Sequence, residues 1–129
     1  CVKLKKPCVH GSVYRFEGQV TVFDPANSGP CYRCLYKEPP PPELAPSCAE
    51  AGVLGVLPGV IGLLEAVETL KILLDIGSPL RGKLLTYDAL EASFQTFNLR
   101  QNPDCDYCAE GKEFPGYIDY EHFCLQQSA

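Results

Sequence analysis

Two pairs of cysteines provide the clearest chemistry in this chain. Cys31 and Cys34 are separated by two residues, and Cys105 and Cys108 repeat that spacing far down the chain. A tight turn with this spacing directs two thiolates at one tetrahedral cation, and two such turns supply the four sulfur ligands of a zinc site. A metal shared by both pairs would join the start and the end of one folding unit, so the spacing predicts a closed loop between them.

The eight cysteines also raise the alternative of a secreted disulfide scaffold. Small disulfide proteins lack a large apolar core, whereas residues 51–74 form a largely aliphatic run that could build one without crosslinks. Paired Cys-x-x-Cys units in a protein with such a core more often bind metal. We therefore interpret the pairs as metal ligands in a reducing, intracellular compartment.

Cys48 is a candidate of a different kind, a reactive thiol. Ser47 fits a helix N-cap and Glu50 completes a capping-box pattern, which places Cys48 in the first helical turn. The helix dipole and the unpaired backbone N–H groups there would lower the pKa of the thiol and raise its thiolate fraction. The alternative is a small buried apolar side chain, and the residues alone leave both interpretations open.

Composition limits the class of partner. The chain has 129 residues, the usual size of one domain, with 46% hydrophobic and 21% charged residues. Its formal net charge is −5, and the local basic cluster is confined to Lys3, Lys5 and Lys6. A nucleic-acid footprint needs a broader basic surface, so the composition favours proteins or small molecules as partners.

Two further classes of site are missing from the sequence. Glycines recur at Gly52, Gly55, Gly59 and Gly62, but neither phosphate-binding pattern, G-x-G-x-x-G or G-x-x-x-x-G-K-[S/T], occurs. The apolar residues 51–64 are followed by Glu65 and are too few to span a membrane. The glycines are instead typical of close helix packing.

Four segments have the alternation of β-strands. Residues 8–16 and 20–23 predict two adjacent strands joined near Glu17 and Gly18, and residues 83–88 and 94–99 predict a hairpin around residues 89–93. His10 stands near the first strand start. We interpret it as a structural residue rather than as a ligand or an acid-base group.

A pair of apolar helices is expected between the strands. Cys48 begins the first, Pro58 begins the second after a break, and Gly77 ends it. In the second helix Leu63, Val67, Leu70 and Leu74 share one stripe, although apolar residues also occur on the other sides. A helix that is apolar nearly all round predicts packing on a sheet and against a second surface, such as a partner subunit.

The remaining segments are irregular. Residues 35–47 contain four consecutive prolines, Pro39 to Pro42, which favour an extended backbone. This loop is either a spacer or a mobile cover over a binding site. The chain begins at Cys1 without an initiator Met, so we interpret it as a piece of a longer polypeptide.

Six stretches, in order, resemble the C-terminal half of the MoeB/ThiF/HesA adenylyltransferases, bacterial relatives of the ubiquitin-activating enzymes. They are residues 15–23 (RFEGQVTVF), 29–34 (GPCYRC), 48–54 (CAEAGVL), 59–62 (GVIG), 82–89 (GKLLTYDA) and 102–108 (NPDCDYC). Residues 117–124 resemble the linker of MoeZ-like members, which continue into a rhodanese domain.

The resemblance implies a fold and a domain division. The fold would be α/β, the C-terminal part of a Rossmann-like ThiF/MoeB fold, with a mixed sheet containing antiparallel strands, a central apolar helix pair and a four-cysteine zinc site. Residues 1–110 would be the C-terminal half of an adenylation domain, and residues 111–129 a linker toward a rhodanese domain.

The resemblance also implies an activity. Family members use Mg-ATP to adenylate the C-terminal Gly-Gly carboxylate of a ubiquitin-like sulfur carrier, which then becomes a thiocarboxylate for molybdopterin, thiamine or related sulfur transfer. Such enzymes are cytoplasmic homodimers. Their nucleotide is bound mainly by an N-terminal half that this chain lacks, so the piece alone would be inactive.

The family's site residues transfer only where the motifs match. Cys31, Cys34, Cys105 and Cys108 match the zinc ligands, and four thiolates leave no open position, so the zinc would be structural. Cys48 matches a cysteine with a covalent role in some members, and residues 35–47 match the crossover segment over the carrier's tail. Cys1, Cys8 and Cys124 match no such position. A zinc-stabilised interaction module and a non-catalytic family member are the alternative functions.

Overall fold

The computed structural model describes residues 1–40 and 48–119, and of residues 48 and 49 it describes the backbone alone. Along this part of the chain two strands are followed by three helices and then by two further strands. The elements are β1 (Cys8–Tyr14), β2 (Glu17–Phe23), α1 (Tyr32–Leu35), α2 (Cys48–Ala51), α3 (Leu57–Leu74), β3 (Lys83–Asp88) and β4 (Ser93–Asn98). The predicted strands are confirmed, although the first turn falls at Arg15 and Phe16 rather than at Glu17 and Gly18.

The four strands form one sheet in the order β1-β2-β3-β4, and every neighbouring pair is antiparallel. The mixed sheet that was expected is therefore not present in the described residues. Parallel pairing there is limited to two single bridges, Arg15 with Val53 and Val22 with Arg81.

The path of the chain explains the antiparallel order. After β2 the chain reaches the opposite end of the sheet, where Val53 pairs with Arg15. Helix α3 then runs back along β1 and β2. Because the sheet is traversed twice, β3 starts at the end where β2 stopped, and Leu84 faces Thr21 across the strands.

Helix α3 packs closely on one face of the sheet, which we call the inner face. Its Leu57 and Ile61 join Val20 of β2 in a buried cluster. Two glycines permit the close approach, because a Cβ on Gly18 would overlap the Ile61 side chain and one on Gly11 would meet Ile61 and Glu65. The glycines of the strands, rather than those of the helix, thus set the distance between the two layers.

The opposite side of α3 is exposed. The stripe of Leu63, Val67, Leu70 and Leu74 is 71, 51, 53 and 61% exposed, so the apolar face that the periodicity singles out points away from the sheet. The helix has apolar residues on both sides, and its period does not say which side packs. This exposed stripe is consistent with the expected second packing surface. The described residues do not cover it.

The bounds of the two predicted helices are close to the prediction but differ in detail. The first helix of the expected pair, α2, is one turn long, and Pro58 lies in the first turn of α3 as predicted. Helix α3 ends at Leu74 because Asp75 adopts the left-handed conformation, with a φ of 52°. Gly77, the predicted cap, lies two residues beyond that point and also has a positive φ.

A buried carboxylate fixes the end of α3. Glu68 is 5% exposed, accepts a hydrogen bond of 2.7 Å from the backbone N–H of Leu80 and forms an ion pair with Lys71. Lys71 also donates to the carbonyl of Ser78 at 3.1 Å. The helix is therefore tied to the segment that enters β3.

Some predictions lie outside the described residues. These are the N-cap role of Ser47, residues 41–47 of the proline-rich loop, and residues 120–129 of the tail. Residues 112–119 contain neither helix nor strand. Among the described helices, none combines the length and the apolar character needed to cross a bilayer.

Candidate metal centre

The first cysteine pair is presented by a tight turn after β2. The carbonyl of Asp24 accepts hydrogen bonds from the N–H groups of Asn27 at 3.1 Å and Gly29 at 3.0 Å. A Cβ on Gly29 would lie 2.9 Å from that carbonyl oxygen, so the turn requires glycine there. Cys31 precedes α1, and the N–H of Cys34 bonds to the Cys31 carbonyl at 3.0 Å, which places both thiols on one side of the turn.

A buried ion pair holds this turn. The Asp24 side chain is fully buried, and its Oδ2 accepts from Arg81 Nε at 2.7 Å and from Asn27 Nδ2 at 2.9 Å. Its Oδ1 is buried and has no hydrogen-bond partner among the described residues. Because Arg81 precedes β3, the pair joins the turn to the second half of the sheet.

The second pair follows β4 in a similar turn. The N–H of Cys105 bonds to the carbonyl of Asn102 at 3.1 Å, and the N–H of Ala109 bonds to the carbonyl of Cys105 at 3.0 Å. The side chain of Asn102 accepts from the N–H of Asp104 at 3.0 Å. These local bonds direct Cys105 and Cys108 toward the first turn.

The four sulfur atoms form one cluster. The Sγ atoms are 3.8 Å apart for Cys31 and Cys34, 3.6 Å for Cys31 and Cys105, and 3.4 Å for Cys34 and Cys108. All four lie within 4.8 Å of one another. Sulfur atoms about 2.3 Å from a tetrahedral zinc ion are ~3.8 Å apart. The donor set and its spacing therefore fit a zinc site, and the predicted ligands are brought together.

Burial and hydrogen bonding shift the pKa values of the thiols in different directions. Burial raises the pKa of Cys31, and neighbouring thiols add to that effect. Burial also raises the pKa of Cys108. Cys105 is opposite: burial opposes its ionisation, but backbone N–H groups of Tyr107 and Cys108 prevail and lower its pKa. A cation that recruits all four thiolates must therefore displace protons from the group.

Neighbouring groups contact the sulfur atoms. The backbone N–H of Asn102 donates to Cys34 Sγ at 3.4 Å. The side-chain amide of Gln101 donates to Cys108 Sγ at 3.6 Å and to the Cys108 carbonyl at 3.0 Å. Such bonds orient metal ligands and moderate their charge. The residue types at positions 101 and 102 do not predict these contacts with the sulfur atoms. Only the fold shows them.

An aromatic cluster supports the first turn on the outer face of the sheet, the face opposite α3. The ring of His10 lies 5.6 Å from that of Phe23 and 5.5 Å from that of Tyr32. Burial lowers the pKa of His10, and the Glu65 carboxylate partly opposes this. Tyr36 donates to the side chain of Gln19 at 3.3 Å. His10 thus lies in a packing cluster beside the turn that carries Cys31 and Cys34, and it is outside the set of possible metal ligands among the described residues.

Cys48 belongs to neither Cys-x-x-Cys pair, and its side chain lies outside the described residues. Its backbone begins α2, as the capping pattern predicts. Because α2 has four residues, few peptide dipoles are aligned there. The case for an activated thiol at Cys48 therefore depends mainly on the family resemblance.

The outer face also carries a groove of about 370 Å³. Polar side chains line most of it, and aromatic rings border it. The lining includes Ser12, Tyr14, Glu17, Gln19, Thr86, Asp88, Gln95 and Phe97. Strand alternation could have placed these residues on one face, but it could not have shown that the face is open.

Comparison with known proteins identifies related chains. The model of the ThiF family matches residues 1–107. The chain is 55% identical over 127 residues to a sulfur carrier protein adenylyltransferase of Thermus thermophilus, covering 95% of this chain and 47% of that protein. It is 54% identical to the SAMP-activating enzyme E1 of Haloferax volcanii, of which it covers 43%, and 48% identical to the adenylyltransferase and sulfurtransferase MOCS3 of Aedes aegypti, of which it covers 29%.

Solved structures share the fold. The crystal structure of E. coli MccB superposes with a TM-score of 0.69 at 14% identity, over 92% of this chain and 37% of that one. MccB in complex with ATP gives a TM-score of 0.64 at 18% identity. The chain thus spans less than half the length of these relatives.

Proposed function

The chain belongs to the ThiF family, and from this premise we propose that it is the C-terminal part of an ATP-dependent adenylyltransferase that activates the C-terminal Gly-Gly carboxylate of a ubiquitin-like sulfur carrier. The observation that carries the proposal is the 55% identity to a sulfur carrier protein adenylyltransferase over nearly the whole chain. Related enzymes from an archaeon and an insect share about half of its residues, with 54 and 48% identity.

The chemistry requires activation because a carboxylate is a poor electrophile. Transfer of AMP from Mg-ATP gives an acyl-adenylate, whose leaving group permits attack by a sulfur nucleophile, and pyrophosphate is released. The thiocarboxylate so formed would serve molybdopterin, thiamine or related sulfur transfer. The nucleotide would be held mainly by the half of the protein that precedes this chain.

A structural zinc ion is part of the proposal. Cys31, Cys34, Cys105 and Cys108 would hold it, and four thiolates would complete its coordination. The zinc would supply a crosslink between the two turns rather than a position for substrate. The sulfur spacing of 3.4 to 3.8 Å supports this assignment.

Cys48 and the loop before it are assigned to carrier chemistry. Residues 35–47 follow Cys34 directly in the sequence and precede Cys48, which starts α2. The loop would cross over the carrier's C-terminal tail, and Cys48 would form the covalent sulfur intermediate. Selective alkylation of Cys48 by iodoacetamide in the zinc-loaded protein is expected, and a reaction no faster than that of Cys31 would remove the role.

The proposal extends to the organisation of the whole protein. Residues 1–110 would complete a cytoplasmic adenylation domain that forms a homodimer, and residues 111–129 would lead to a rhodanese domain. The exposed apolar stripe of α3 supports a further packing surface. Sedimentation equilibrium of the full-length protein is expected to give a dimer, and a monomer at micromolar concentration would contradict this part.

The decisive experiment measures pyrophosphate release. The full-length protein, ATP, Mg²⁺ and a sulfur carrier ending in Gly-Gly are expected to release pyrophosphate, whereas a carrier lacking the final glycine is the matched control. Calorimetric titration with ATP is expected to show binding by the full-length protein and none by residues 1–129 alone. If neither binds ATP, the protein is instead a zinc-stabilised interaction module or a non-catalytic family member.

A further inference from the structure

The four thiols of the metal centre fall into an inner and an outer pair. Cys31 and Cys105 are 1% and 4% exposed, whereas Cys34 and Cys108 are half-buried. The outer Sγ atoms are also the closer pair, 3.4 Å apart compared with 3.6 Å for the inner pair. The cluster therefore offers two adjacent sulfur atoms to a small reagent from solvent.

We infer that Cys34 and Cys108 form an oxidation site, at which hydrogen peroxide converts the two outer thiolates into a disulfide and thereby releases the metal. The inference rests on the zinc assignment of the proposed function and is independent of adenylyl transfer. A protein that binds no zinc would refute that assignment, whereas zinc that stays bound under peroxide would refute this inference. It assigns to the centre a second property, sensitivity to an oxidant, in addition to its structural one.

The reaction balances in two steps. One outer thiolate attacks a peroxide oxygen, so that an S–O bond forms, the O–O bond breaks and the departing hydroxide takes a proton to become water. The other outer thiolate then attacks the sulfenic sulfur, so that an S–S bond forms, the S–O bond breaks and a second protonated hydroxide leaves as water. Two electrons pass from the thiolates to one peroxide, and the cation loses two of four ligands.

The geometry selects the product. A disulfide within one turn, Cys31 with Cys34, would need a nearly inaccessible inner sulfur that lies 3.8 Å from its partner. The outer pair instead joins the two turns across 74 residues of sequence. The disulfide would therefore link the same two segments that the metal links, and the chain would stay closed after the metal leaves.

Gln101 restrains this reaction. Its amide lies 3.6 Å from Cys108 Sγ and 3.0 Å from the Cys108 carbonyl oxygen. A hydrogen bond to a metal-bound thiolate lowers its nucleophilicity toward the oxidant. Cys34 receives its bond from a backbone N–H, which substitution cannot remove. Gln101 is thus a positioning residue whose replacement isolates the effect.

The test treats the full-length, zinc-loaded protein with hydrogen peroxide and follows zinc release by the absorbance of a metallochromic chelator. Peptide mapping after alkylation is expected to show a crosslink between Cys34 and Cys108 that appears together with the free zinc, and dithiothreitol with added zinc is expected to reverse both. Crosslinks confined to Cys31 with Cys34, or zinc that stays bound after Cys8 has been oxidised, would overturn the inference.

Two variants complete the test. Gln101→Leu is expected to bind one zinc per chain and to release it about fivefold faster, the factor that corresponds to one ordinary hydrogen bond. Cys8→Ser, at a half-buried thiol outside the cluster, is the matched control and should release zinc at the wild-type rate. A wild-type rate for Gln101→Leu would show that Gln101 has no restraining role.

Discussion

Arg81 Nε lies 2.7 Å from Asp24 Oδ2, and this contact joins two segments that are 57 residues apart. Asp24 is fully buried at the end of β2, in the turn that presents Cys31, whereas Arg81 is partly exposed before β3. Val22, two residues before Asp24, also pairs with Arg81 in a single parallel β-bridge. The ion pair and the cluster of four cysteines thus lie on two sides of the same turn.

Removal of the positive charge of Arg81 is expected to lower the stability of the fold. Arg81→Met leaves the buried Asp24 carboxylate with the Asn27 amide but without a cation. We therefore expect a loss of about 3 kcal/mol in the free energy of unfolding. Urea denaturation of the metal-loaded protein measures it. The double variant with Asp24→Leu, which removes the charge as well, should recover part of the loss, and additive losses would contradict the pairing argument.

Glu68 provides a second test of a buried acceptor. Glu68→Leu leaves the N–H of Leu80 unpaired, and we expect a loss of about 2 kcal/mol in stability. Glu68→Gln keeps an acceptor oxygen at the same place and should lose less. Equal losses for the two variants, measured by thermal unfolding, would show that the charge rather than the hydrogen bond matters.

The close approach of α3 to the sheet predicts a difference between two glycines. A side chain at Gly18 would overlap Ile61, so Gly18→Val should destabilise by about 2 kcal/mol through overpacking. Gly62 lies within α3 and a Cβ there meets nothing within 4 Å, so Gly62→Ala should stabilise by about 0.5 kcal/mol. Opposite signs in chemical denaturation are the expected result, and a loss at Gly62 would reveal a hidden contact.

His10 predicts an acid-sensitive contribution to stability. Burial holds its pKa in the folded protein below the ordinary value of 6.5, whereas the unfolded chain has the ordinary value. The contribution is therefore intact above pH 6.5, and it falls as the pH drops from 6.5 through the folded pKa, because the unfolded state takes up the proton first.

His10→Phe keeps an aromatic ring in the cluster and should reduce the loss of stability below pH 6.5. Glu65→Gln removes the charge that raises the pKa of His10 and should extend the loss to lower pH. Urea unfolding across this range measures both variants. A pH dependence that His10→Phe leaves unchanged would assign the effect to other groups.

Metal binding should release protons. Burial raises the pKa values of Cys31 and Cys108, so both are neutral thiols before a cation binds near pH 7 and each must lose its proton. Zinc affinity is therefore expected to fall as the pH is lowered. Calorimetry in buffers of different ionisation enthalpy measures the number released, and a value near zero would contradict these directions.

The predictability of the fold differs between its parts for physical reasons. The strands and the Cys-x-x-Cys turns are local patterns, and their spacing predicts both the hairpins and the ligand set. The packed side of α3 is not predictable in this way, because Leu57 and Ile61 on one side are as apolar as Leu63 and Val67 on the other. The glycines of β1 and β2 decide between the sides, and their effect appears only when the layers meet.

The candidate site was likewise predictable from the sequence only in part. Four cysteines with repeated spacing indicate their own chemistry, whereas the contact between Asp24 and Arg81 joins two unremarkable positions far apart in the chain. Gln101 likewise gives no signal in the sequence. Its role arises because the turn after β4 places its side-chain amide 3.6 Å from Cys108 Sγ.

The separation of the two cysteine pairs has a consequence for biosynthesis. Cys34 is translated 74 residues before Cys108. At roughly 5–20 residues per second, the first pair waits on the order of 4–15 s for the second. During that interval the nascent chain carries two thiols that cannot yet enclose a cation. With the zinc ligands proposed above, metal acquisition would be among the last steps in the maturation of this part of the protein.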